Sequence, residues 1–109
     1  MENVTSELVP QPTPIRSGAG FAELAIGRHP ELFFAVNRLD VDDVADDDTR
    51  GRFHVLNLVE GDEILLRTAS GREHRLAYAE TIVVPASIGA YSLQRTGRLP
   101  AKIVKAFVA

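Results

Sequence analysis

Phe53-His54-Val55-Leu56-Asn57-Leu58-Val59-Glu60-Gly61-Asp62-Glu63-Ile64-Leu65-Leu66-Arg67-Thr68 is the stretch on which the fold turns. Its first eight residues are rich in β-branched and aromatic side chains, the composition of a strand. A second apolar run begins at Glu63. Glycine takes positive φ at no steric cost, so Gly61-Asp62 between the two runs predicts a two-residue hairpin joining strands 53–60 and 63–68.

Outward from this stretch the same punctuation repeats. Phe33–Val41 reads as a strand before it. Glu73–Leu76, Thr81–Val84, Ala90–Gln94 and Ala101–Val108 read as strands after it, with turns at Ala69–Arg72 and Thr96–Pro100. Pro85 has no amide proton for a ladder, so it must end a strand or lie on an edge. Gly20–Ile26 has spacing that suits a short helix or a strand. Strands recurring every ~8–12 residues with turn signals between them predict an all-β sandwich or barrel. Pro10, Pro12 and Pro14 favour extended chain, so residues 1–17 are expected to be an arm or linker and 18–109 the β-domain.

The bulk composition excludes several classes. The 109 residues are 45% hydrophobic and 25% charged, as in a globular domain. The absence of cysteine removes disulfides, thiolate nucleophiles and Cys-based metal sites. A net charge of −3 with scattered basic residues argues against nucleic acid as a partner. No apolar run approaches the roughly 20 residues of a membrane span. The acidic, polar start Met1–Glu7 does not have the makeup of a secretory signal, so the expected location is the cytoplasm.

Few residues point to chemistry. Asp42–Asp48 holds five aspartates, a density that suits a hard cation, but no register supplies the glycine and glutamate of an EF-hand loop. A solvated loop between strands is expected there. His29, His54 and His74 have no histidine partner at short spacing, so no histidine metal site is expected. His54, between Phe53 and Val55, is expected to face the barrel interior as a hydrogen-bonded wall residue, and His29 and His74 to lie at the surface. Lys102 and Lys105, with Arg95 and Arg98, are candidates for an anion patch, with a solvated face as the simpler reading. No phosphate-binding glycine loop or nucleophile elbow is present.

Two segments carry a family resemblance. Val55–Gly61 and Thr81–Gly89 resemble the closing parts of the first and second cupin motifs. In cupins, two histidines and a glutamate of the first motif and a histidine of the second hold a metal. Alignment on Gly61 puts His54 at the glutamate position and the two histidine positions near Asp48 and Arg50. Alignment on Pro85 puts Ala90 at the last histidine position, beside Tyr91. Arginine stays protonated, alanine has no donor, and one histidine cannot hold a metal alone. The resemblance therefore implies a jelly-roll barrel without a metal site.

More narrowly, His29–Val36, Phe53–Gly61, Val84–Tyr91 and Lys102–Val108 resemble the C-terminal domain of class I, zinc-dependent mannose-6-phosphate isomerases. The likeness covers about residues 28–108. In that family the zinc belongs to the preceding domain, on Gln, His and Glu ligands whose motifs do not occur here. The resemblance thus implies an accessory β-domain with no catalytic residues or cofactor of its own, working with an upstream catalytic domain or partner subunit. The alternative is a stand-alone module that binds a sugar, a sugar phosphate or another small molecule at the barrel mouth, with Arg52, His54, Tyr91 and Gln94 as pocket candidates. A third reading makes His54 a general acid or base, but no nucleophile or paired carboxylate stands beside it in sequence. A homodimer sharing an edge strand such as 31–41 is a further expectation.

Overall fold

The computed structural model describes residues 12–29 and 34–108. Its strands are β1 (Thr13–Gly18), β2 (Phe21–His29), β3 (Phe34–Val41), β4 (Val44–Asp48), β5 (His54–Glu60), β6 (Glu63–Thr68), β7 (Glu73–Ala77), β8 (Thr81–Val84), β9 (Ala90–Arg95) and β10 (Ala101–Val108). A single 3-10 turn, Ala86–Ile88, separates β8 from β9. One sheet runs β1-β2-β3-β10-β5-β8 and the other β4-β9-β6-β7. Every pairing is antiparallel. The two sheets pack into the all-β jelly-roll sandwich expected from the sequence, and of Gly20–Ile26 the residues from Phe21 onward resolve as strand rather than helix.

The decisive stretch forms both of its strands but not the hairpin. β5 pairs with β10 and β8, whereas β6 pairs with β9 and β7. Gly61-Asp62 carries the chain across from one sheet to the other. Gly61 sits at φ +107°, and a Cβ there would come within 3.0 Å of Ala101 Cα and 3.1 Å of Pro100 O. Only glycine fits that crossing.

Three further expectations change. Residues 13–17 are not a free arm: β1 pairs along β2 from Thr13↔Ala25 to Gly18↔Phe21. Residues 1–11 lie outside the described part. The aspartate run is not a loop throughout, because Val44–Asp48 pairs with β9. β3 is not an edge, since it lies between β2 and β10, so it cannot be the strand shared in a dimer.

Period-two alternation sets the core. Leu39 and Val41, Leu56 and Leu58, Ile64 and Leu66, Leu76, Leu93, Ala101 and Ile103 point between the sheets and are buried. Burying each large aliphatic side chain contributes about 1.5–3 kcal/mol. This packing fills one end of the sandwich. The same inward rows change character towards the other end.

Candidate functional site

On β10 the inward row continues from Ile103 to Lys105 and Phe107. On β3 it continues from Leu39 to Asn37, and on β5 from Leu56 to His54. The strand register brings these together: Lys105 pairs with Asn37 on one side and Leu56 on the other, and Phe107 pairs with His54. From the facing sheet come Asp47 on β4 and its partner Tyr91 on β9. Glu23 on β2 and Arg16 on β1 complete the group. Glu23, Asn37, His54 and Lys105 are each exposed by 5% or less.

Charges this deep require partners, and among the described residues all of the buried donors but Arg16 Nη2 have a hydrogen bond. Lys105 Nζ donates to Asp47 Oδ2 at 2.6 Å and lies 2.7 Å from Glu23 Oε2. Asn37 Nδ2 donates to Glu23 Oε2, and Arg16 Nε to Glu23 Oε1, both at 2.6 Å. Arg16 Nη2 lies 3.5 Å from Asp47 Oδ1. Two cations thus balance two carboxylates. Tyr91 has one hydroxyl proton and two acceptors in reach, His54 Nδ1 at 2.7 Å and Asp47 Oδ2 at 3.3 Å. The His54 ring is further held edge-on to Tyr91 and tilted against Phe107, with centroids 5.8 and 5.9 Å away.

The environment fixes the protonation states. Burial alone would raise the Glu23 carboxyl, but Lys105, Asn37 and Arg16 outweigh it and hold it below its ordinary value. Burial and then the Lys105 charge push His54 down, against the pull of Asp47, Glu23 and Asp48, so the imidazole is neutral at pH 7. Burial and Asp47 push the Tyr91 phenol far up, so it stays protonated. A locked ion cluster, a neutral imidazole and a protonated phenol supply hydrogen bonds but no activated nucleophile.

The cluster floors a cavity of about 480 Å³, lined also by Ile15, Asp48, Thr49, Arg50 and Arg52. The rim is the turn from β4 to β5. Thr49, almost fully buried, donates its hydroxyl to Ala86 O and accepts the Gly89 amide, pinning this turn to the β8–β9 link. Arg52 N closes the turn on Thr49 O, and both central residues have positive φ, Arg50 at 53° and Gly51 at 78°. Arg52 Nη1 donates to Val108 O.

Of the four expected pocket residues, Arg52 and His54 line the cavity. Tyr91 lies behind His54 and orients it. Gln94 is not with them: inward Tyr91 and Leu93 place it on the outer face of β9, paired with Val44 and Leu65. His74 is exposed on β7, whereas the His29 side chain lies outside the description. The basic patch is not one surface. Lys102 is half-buried beside Glu60, Arg95 reaches Arg98 O, and Lys105 is inside. Glu23, Asn37 and Lys105 were not expected at the site. The signal was available: Asn37 shares parity with Leu39, and Lys105 with Ile103.

The structure resembles a cupin-2 domain protein from Rhodospirillum rubrum, with a TM-score of 0.70 over 91% of this chain and 69% of that one at 7% identity. It also resembles KdgF from a Halomonas species, with a TM-score of 0.67 over 86% and 83% at 12% identity. The fold is that of the cupins. The mannose 6-phosphate isomerase from Bacillus subtilis superposes with a TM-score of 0.69 at 15% identity, over 88% of this chain but only 28% of the isomerase. No protein-family model matches the sequence, and no curated protein matches it either.

Cupins as a family often hold a metal inside the barrel. The residues present do not fit one. Among the described residues no three His, Cys, Asp or Glu side chains are arranged to hold a metal ion. Glu23 and Asp47 already grip an ammonium, Lys105, which neutralises the charge a divalent ion would need. The positions aligned with metal-binding histidines carry Asp48, Arg50 and Ala90.

Proposed function

We propose that this chain is an accessory, non-catalytic cupin domain of a mannose-6-phosphate isomerase-like protein. The observation that carries the reading is Lys105, whose ammonium stands between Glu23 and Asp47 and fills the cation place between them. Such a barrel lends shape and contacts, and a separate catalytic domain or partner subunit supplies the zinc-dependent aldose–ketose chemistry. Three of the resembling segments coincide with β5, β10 and the β8–β9 link, the elements that build and pin the site. The superposition on 28% of the Bacillus subtilis isomerase is what one domain of a larger enzyme gives. Cytoplasmic carbohydrate metabolism follows as part of the same proposal.

The test is isomerisation of mannose 6-phosphate. A chain extended by a zinc-binding catalytic domain is expected to turn over the substrate, with loss on chelation, while the 109 residues alone do not. Turnover by the 109 residues alone would overturn the reading.

A second reading, a small-molecule binding module, is favoured by the cavity. Its volume lies in the usual range of ligand sites, and its lining mixes Phe107 and Ile15 with convergent polar groups. A bound ligand is expected to raise the melting temperature, because it stabilises only the folded state.

A further inference from the structure

The cavity has a floor and a rim of different electrical character. On the floor, Arg16 and Lys105 are cancelled by Glu23 and Asp47. What remains there for a guest is hydrogen bonding from the His54 imidazole, the Asn37 side-chain carbonyl and Arg16 Nη2, a buried donor without a hydrogen-bond partner among the described residues. Phe107 offers an aromatic face beside them. The rim carries Arg50 and Arg52 against Asp48 alone. Arg50 has no side-chain partner among the described residues, and Arg52 uses one of its donors on Val108 O. Four basic and three acidic side chains line the cavity of a chain whose overall charge is −3. The mouth is therefore locally cationic on an acidic protein.

The backbone gives a second, independent sign. A turn with positive φ at both central positions prefers Asn, Asp or Gly at the first. Arg50 occupies it at φ 53°. An arginine in the left-handed region costs stability that asparagine would largely avoid. Strain of this kind at a cavity rim points to a side chain kept for what it contacts rather than for the turn.

We propose that this cavity binds a phosphorylated polyol, its phosphate gripped by Arg50 and Arg52 and its hydroxyls seated on His54 and Asn37. Two guanidiniums on one rim supply the charge and donors that a phosphate takes, and the charge-balanced floor favours hydroxyls over a second charge. The inference rests on the binding reading of this cavity and is independent of any isomerase activity.

Calorimetric titration of the 109-residue chain with mannose 6-phosphate, mannose and inorganic phosphate tests it. Mannose 6-phosphate is expected to bind, and each of the other two at least about tenfold more weakly. Arg50→Asn is expected to weaken mannose 6-phosphate about tenfold while the melting temperature holds or rises. Mannose binding as tightly as its phosphate overturns the rim assignment, as does an Arg50→Asn variant with unchanged affinity. Inorganic phosphate binding as tightly overturns the polyol assignment. Binding of none of the three, by a folded chain, overturns this inference, whereas the binding reading falls separately, if no small molecule raises the melting temperature.

Discussion

The two ends of this sandwich are built from the same strands and hold together by different means. At the closed end, Val41 and Leu39, Leu58 and Leu56, and Ala101 and Ile103 meet in apolar contact that is non-directional and tolerant. At the open end, the next residues on those strands are Asn37, His54 and Lys105; Asn37 and Lys105 join Glu23, Asp47 and Arg16 through short directional bonds, and His54 bonds to Tyr91. Apolar burial stabilises directly. Burial of ions carries a desolvation cost that their attraction roughly offsets. The closed end therefore holds the fold, and the open end holds a shape.

Removing one member of the ion cluster should have the largest effect. Lys105→Met leaves two buried carboxylates facing each other and is expected to cost about 3–5 kcal/mol at neutral pH. Urea denaturation measures it, and the deficit should shrink as pH falls and Glu23, no longer held down by Lys105, takes up a proton. Leu58→Ala at the closed end should cost about 3 kcal/mol through transfer and cavity formation, with no such pH dependence. A pH-dependent deficit at Leu58, or a pH-independent one at Lys105, would break the contrast between the ends.

Tyr91→Phe removes a buried hydroxyl from His54 and Asp47 and is expected to cost about 1–2 kcal/mol by thermal denaturation. Acidification of the wild type sharpens the picture further. The unfolded chain protonates His54 near 6.5, but the folded one only at lower pH, so stability falls as pH drops through that window. Glu23 repeats the step from about 4.5 downward, again because its folded value is depressed. His54→Asn should abolish the upper step and leave the lower. A stability profile flat between neutrality and pH 5 would show that His54 is not neutralised by its surroundings.

Much of this was legible in the sequence. Strand positions were, because β-rich runs and turn residues alternate so regularly. The separation of β5 from β6 into different sheets was not, yet parity held the answer. A two-residue hairpin would set Leu58 opposite Leu65 and Leu56 opposite Arg67. Arg67 would then join the core face, whereas it lies exposed against Glu73. The Gly-Asp signal reports a tight turn and says nothing about whether the chain folds back or crosses over. His54 was legible as an interior residue from its flanks. Asp47 was hidden by its acidic neighbours, which read as solvated, and its role depends on Lys105, 58 positions away. Contacts that distant are set by topology, which local pattern does not encode.

The place of β10 in its sheet bears on how the molecule comes together. It is the last strand of the described residues, yet it lies between β3 and β5 and pairs with both. As the polypeptide leaves the ribosome, β3 and β5 have no common neighbour until β10 emerges. Until then both expose unsatisfied backbone edges, the kind of surface on which nascent chains stick to one another. Assembly of the larger sheet is thus a late event, and a chain stalled before residue 101 would be a hazard to its cell rather than a slightly shorter protein.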